Sequence, residues 1–259
     1  MDPLLKAIGI LEPLDKKYPD HPGITHYLIH SYDFAPIARK GVPAADKYAK
    51  VAPSAPHAQH MPSHIYSMVG LWEASIAANI RTVAASNEYA ARNKLDGIYG
   101  AVPHSWDFMQ YAYLQLGQDS KAKALMEEVA GVKKIYASRF VTECGAAAVA
   151  ARYMLERRDW KDAAKLQVLD FITAPQAKAL TYFARAMGAA RSDDVTAALA
   201  DIDKLKELRT ALEKAGQPYW AGQIEVQILA AQGWVAQAQG EKPDALKFMR
   251  AAADLEDAS

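Results

Sequence analysis

Helical periodicity, interrupted at short intervals, limits most strongly what this chain can fold into. In segment after segment, apolar residues, many of them alanine, recur with a period of 3.6, which marks amphipathic helices. Gly, Pro, Asp and Asn break the pattern. β-branched alternation is nearly absent, so no strand or hairpin is predicted. The segments pair as helix, short turn, helix: 4–18 and 24–34, 43–51 and 57–69, 72–92, then 104–116 and 119–130. Residues 136–157, 160–169, 175–190, 193–215, 219–239 and 242–256 follow. A loop from Asp96 to Pro103 carries two glycines. Asp119 and Asp193 are placed as N-caps, and Pro243 fits a first helical position.

Helix hairpins recurring every 30–40 residues point to an α-solenoid. Trp106, Tyr113, Gly117 and Ala122 have the offsets of W…Y…G…A in a tetratricopeptide repeat (TPR). Ala7, Leu11, Leu14 and Pro19 have those of its second helix, and Gly240, Ala245, Met249 and Ala252 match the same turn and helix. On these residues the chain resembles the TPR family. The resemblance implies an all-α, TPR-like α-solenoid, a right-handed superhelix of about six helix hairpins in which small residues allow close helix approach. It would be one domain over 1–259, His-rich over 1–117 and histidine-free over 118–259. The matches at 136–169 and 175–215 are poor.

A narrower resemblance rests on His21-Pro22-Gly23-Ile24-Thr25-His26-Tyr27-Leu28-Ile29-His30-Ser31-Tyr32-Asp33, on His57 to Tyr66, and on Pro103 to Phe108. These runs are similar to segments of a bacterial group of TPR-containing proteins. That group implies a longer array at both ends, and hence that this chain is a fragment or a shortened relative. Residues 4–19, which read as the second half of a repeat, point the same way. The last segment, 242–256, has no polar capping helix after it before Ser259, which predicts either a missing segment or self-association through an exposed apolar face.

Composition excludes several functions. Lys+Arg and Asp+Glu balance at 30 each, and no concentrated basic patch exists for nucleic acid or an anionic membrane surface. No window is apolar enough to span a bilayer. The start of the chain lacks the features of a signal peptide. As written it reads as soluble and cytoplasmic, or periplasmic if an export signal has been lost upstream. A single cysteine, Cys144, excludes an internal disulfide and a thiolate zinc cluster. There is no GxSxG, Walker loop or G-x-G-x-x-G. Ser63 and His64, adjacent on a helix, point about 100° apart, which is poor for a nucleophile and its base. The five tryptophans read as packing residues, and the alternating charges from Asp201 to Lys214 as a solvated face.

The histidines carry the chemistry. All seven lie at or before His104. His57, His60 and His64 are spaced i, i+3, i+7 and share a face if the stretch is helical. His26, His30 and Asp33 are spaced i, i+4, i+7. His104, Asp107 and Tyr111 fall on the stripe that the TPR resemblance turns toward the concave groove. Pairs of His at i, i+4 can supply two metal ligands from one helix, and the feature occurs twice, at His26/His30 and His60/His64. The ligand set expected for a transition metal is therefore His26, His30, His60, His64 and His104, with His57, Asp33 and Asp107 as further ligands or as acceptors orienting an imidazole. A nitrogen-rich set without thiolate suits Zn, Cu, Ni or Fe. The same polar face would also serve, without metal, as a groove for a peptide, protein partner or small molecule. Whether the site is catalytic is left open; Asp107 and Asp33 are the carboxylates that would act as base. His21, in a turn, is left out of any site. The chief obstacle is Pro62, which either starts the helix after His57 and His60 or kinks it between them and His64.

Overall fold

The computed structural model describes residues 2–258 and is built almost wholly from α-helix. Ser259, where the chain stops, lies outside the described residues. No helix among the described residues is long and apolar enough to cross a membrane. The chain divides into two compact units. One comprises residues 1–125 and 134–138, the other 126–133 and 139–259.

The first unit contains α1 (Asp2–Lys17), α2 (Pro22–Tyr32), a 3-10 turn (Ala38–Gly41), α3 (Val42–Val51), α4 (Pro56–His60), α5 (Pro62–Met68), α6 (Trp72–Arg92), α7 (Ala101–Gln115) and the start of α8 (Asp119–Ala130). Most helices pack on their neighbours in the chain, while the short α4 packs mainly on α6. The core joins Leu28, Ile29 and Tyr32 of α2 to Ala45 and Tyr48 of α3, Met61, and Ile65 and Tyr66 of α5. Burying side chains such as Ile29 and Ile65 contributes about 2 kcal/mol each.

The turns follow from glycine. At Gly70 and Gly117 the backbone is left-handed, with φ of 76° and 65°. Leu71 N–H then donates to Tyr66 O at 2.8 Å, and Gln118 N–H to Tyr113 O at 2.8 Å. These bonds satisfy carbonyls at the helix end and let the next helix begin at once.

An internal period is visible in the contacts. Tyr32 Oη donates to Glu12 Oε1 at 2.6 Å, and Tyr66 Oη donates to Asp46 Oδ1 at 2.6 Å. Both partners, and also His26/His60 and His30/His64, are offset by 34 residues. Two consecutive stretches therefore repeat the same tyrosine–carboxylate contact and the same histidine pair, with Asp46 in the place of Glu12.

Two expectations change here. The loop from Asp96 to Pro103 holds a short strand, β1 (Ile98–Tyr99), paired in parallel with β2 (Ile135–Tyr136). Its two glycines allow the approach: a Cβ at Gly97 would lie 2.6 Å from Lys134 O, and one at Gly100 2.6 Å from Ala137 O. Residues 136–139, expected to be helical, belong to this pairing and its exit.

The second unit contains the end of α8, α9 (Phe140–Arg157), α10 (Trp160–Ala163), α11 (Pro175–Ala190), α12 (Val195–Lys214), α13 (Pro218–Ala238) and α14 (Lys242–Asp257). The segment expected to be helical to residue 169 leaves the helix after Ala163. Its β-branched residues Val168, Ile172 and Thr173 precede Pro175, which favours extended backbone before it. Ile172 is buried against Ala147 and Ala177. The cap of α12 is Asp194, which accepts from Ala197 N–H at 3.0 Å, and not Asp193, which is left-handed with φ of 63°. On the outer face of α14, Leu246 is an exposed apolar side chain beside Lys242, Lys247 and Arg250.

Candidate metal centre

Pro62 resolves the main uncertainty of the sequence by a compromise. It opens α5, as its missing N–H allows, while Pro56–His60 form a single turn of their own. Met61 between them keeps right-handed helical angles, φ −51° and ψ −37°. The break is thus in hydrogen bonding rather than direction. His60 and His64 still face each other across it, with Nε2 atoms 3.1 Å apart. Buried Gln59 anchors the short turn, donating to Ala49 O at 2.9 Å and Pro53 O at 3.2 Å and accepting from Arg81 Nε at 3.0 Å.

The ligand nitrogens gather into two groups, His26/His30/His57 and His60/His64/His104, each with its ligating atoms within 4.8 Å of one another. The stretch from His57 to His64 is therefore divided: His57 turns to the α2 pair, while His60 and His64 join His104 of α7. In each group a His pair at i, i+4 meets one histidine from a later helix. Asp33 and Asp107 stand outside both groups.

In the first group His26 Nε2 is 3.1 Å from both His30 Nε2 and His57 Nε2. The His26 ring stacks on Tyr48, centroids 5.7 Å apart and planes within 8°. His30 and His57 are exposed. The second group is more enclosed. His60 is 3% exposed, and Phe108 lies 4.9 Å from His60, 4.9 Å from His64 and 5.3 Å from His104, ring centre to ring centre.

The tautomers of the second group follow from what lies behind it. Asn79, fully buried on α6, donates its Nδ2 to Ser75 O at 2.9 Å. Its Oδ1 therefore accepts from His60 Nδ1–H at 2.7 Å. Asp33, the C-cap of α2, accepts from His64 Nδ1–H at 2.9 Å. With both Nδ1 atoms acting as donors, neutral His60 and His64 present bare Nε2 lone pairs to each other. In the first group the one in-plane lone pair of His26 cannot accept well from two partners at once. Both arrangements ask for a shared cation.

Burial works against a proton on five of these six rings. Burial, and then the nearby imidazoles, push His26 and His104 down to about 4. Burial holds His60 well below its ordinary range, and lowers His30 and His57 as well. A metal fits the spacing. With metal–nitrogen bonds of about 2.0–2.1 Å, ligand nitrogens lie about 3.3 Å apart at a tetrahedral angle and about 2.9 Å at a right angle. The observed 3.1 Å lies between. A carboxylate or amide behind a ligating imidazole is the usual means of fixing its orientation.

Asn79, Phe108 and Tyr48 were not among the residues expected from sequence. Phe108 alone had a signal, lying four residues after His104 on the same helix face. His21 is structural, its Nδ1 accepting from Ile24 N–H at 3.3 Å to cap α2. Ser63 Oγ donates to His60 O at 2.7 Å, so it is a helix-break contact. No family model matches the chain, and no curated protein matches it.

Proposed function

We propose that this chain is a TPR-like metalloprotein that binds two transition-metal ions, one in each trihistidine group. The observation that carries the reading is the pair of donor-committed imidazoles, His60 and His64, whose free nitrogens face each other at 3.1 Å in a largely buried site. Without a cation that arrangement is repulsive. The 34-residue offset between His26/His30 and His60/His64 supports a TPR-like repeat, because that is the TPR period. Three protein ligands leave at least one coordination position for a small molecule. Zn, Cu, Ni and Fe all suit imidazole.

Metal analysis of the purified protein tests the reading, with thermal unfolding before and after adding metal. The expected result is two equivalents of transition metal per chain and a rise in Tm, because an ion that binds only the native state stabilises it. His60→Ala with His64→Ala should lose one equivalent and most of that rise. A chain that takes up no transition metal, with no shift on adding Zn, Cu or Ni, is a metal-free groove and the proposal fails.

A further inference from the structure

The two groups are built into each other. His57 and His60 lie on the single turn of α4, at i and i+3, and each serves a different group. Side chains with that spacing have Cβ atoms about 5–6 Å apart on one face. Helix α2 likewise serves both: His26 and His30 ligate in the first group, while Asp33, at the end of the same helix, holds His64 of the second. The two sites share two of their supporting elements, α2 and α4.

Each group consists of histidine alone. That absence of anionic ligands bears on which metal suits a pair. At any given spacing, two divalent ions held by neutral imidazoles would repel with four times the energy of two monovalent ions. Iron sites of this kind use a carboxylate beside two histidines, and Mg, Ca and Mn prefer oxygen donors. Copper is favoured by imidazole and can be held as the monovalent ion by three nitrogens.

Resting on the metal-binding reading above, we infer that the two groups form one dinuclear copper centre whose reduced form binds dioxygen between the ions. The electrons balance within the pair. Each cuprous ion gives up one electron, dioxygen takes two and is bound at the peroxide level, and no proton or leaving group is required. The exposed His30 and His57 leave the first ion open to an incoming small molecule, while Phe108 covers the second.

The test uses the full chain, loaded with cuprous ion under anaerobic conditions and then exposed to dioxygen. Copper content, dioxygen uptake, near-ultraviolet absorption and electron paramagnetic resonance are followed. The expected result is two coppers per chain, uptake of one dioxygen per pair and an intense near-ultraviolet charge-transfer band. The oxidised pair should be nearly silent in paramagnetic resonance, because adjacent cupric spins couple. Two coppers that oxidise to independent cupric signals overturn the paired centre but leave metal binding intact. A single copper per chain does the same; no copper at all overturns the pair, and overturns metal binding as well only when Zn and Ni are also refused. His57→Ala removes an exposed ligand without opening the core. It should retain one copper that becomes fully visible on oxidation, with dioxygen uptake lost. Uptake at the parent level in this variant, with its helical circular dichroism unchanged, would also overturn the pair.

Discussion

The Nδ1–H of His60 meets Asn79 Oδ1 at 2.7 Å, and this contact decides which nitrogen faces the other histidines of its group. Removing it by Asn79→Ala leaves a buried donor without an acceptor, at a cost of about 1–3 kcal/mol. It also frees the ring to take the other tautomer. Loss of such an orienting partner typically weakens metal binding about 10–100-fold. Competition titration against a chromophoric chelator should show that loss for one of the two equivalents and no change in the other. Unchanged affinity for both would mean that packing by Phe108 alone orients His60. The histidines were legible in the sequence because their residue type and spacing declare them. Asn79 was not, since an asparagine in mid-helix gives no sign of which distant ring its amide meets.

At the scale of elements, two features of the second unit set tolerances that periodicity does not reveal. Gly188 lies where α11 passes the end of α10, and a Cβ there would sit 2.5 Å from both Ala164 N and Trp160 O. These are backbone atoms, so the helices themselves would have to separate. Gly188→Ala is expected to cost about 1–3 kcal/mol, read as a lower denaturation midpoint with metal content unchanged. Glu143 on α9 accepts from Thr173 N–H and Ala174 N–H, both at 2.7 Å, at the start of α11. A carboxylate there answers unpaired amides and the positive end of the helix together. Glu143→Ala should destabilise by about 1–3 kcal/mol, measured by urea unfolding, while Glu143→Gln, which keeps an acceptor, should recover part of it. Segments 72–92, 119–130 and 175–190 were read from sequence with their observed ends, because Gly, Pro and Asp signal those ends locally. The segment after Ala163 was misread, because its apolar residues have no helical period of their own and are placed by contact with other helices.

For the whole molecule, the histidines give acid stability a dependence that tests the metal proposal. In the metal-free protein His26 and His104 fall from an ordinary 6.5 to about 4. The unfolded chain then binds more protons than the folded one once the pH drops below 6.5. Their contribution is complete above pH 6.5 and is lost as the pH falls toward 4. Thermal melts of the metal-free protein should decline over that window. With metal bound, the decline should move to lower pH, since the ion competes with protons for the same nitrogens. An identical pH profile with and without metal would contradict the ligand assignment. By itself the sequence determined an all-helical chain, the approximate extent of most helices, and six histidines on the faces where a site would form, because these depend on local periodicity and residue chemistry. It also narrowed the site's uncertainty to Pro62. Only the tertiary structure decided that these histidines divide three and three, that His57 parts company with His60, and that Asn79 and Asp33 stand behind them. Partners in such a site come from helices separated by tens of residues, and a spacing pattern along one helix does not encode which neighbour its side chains will meet.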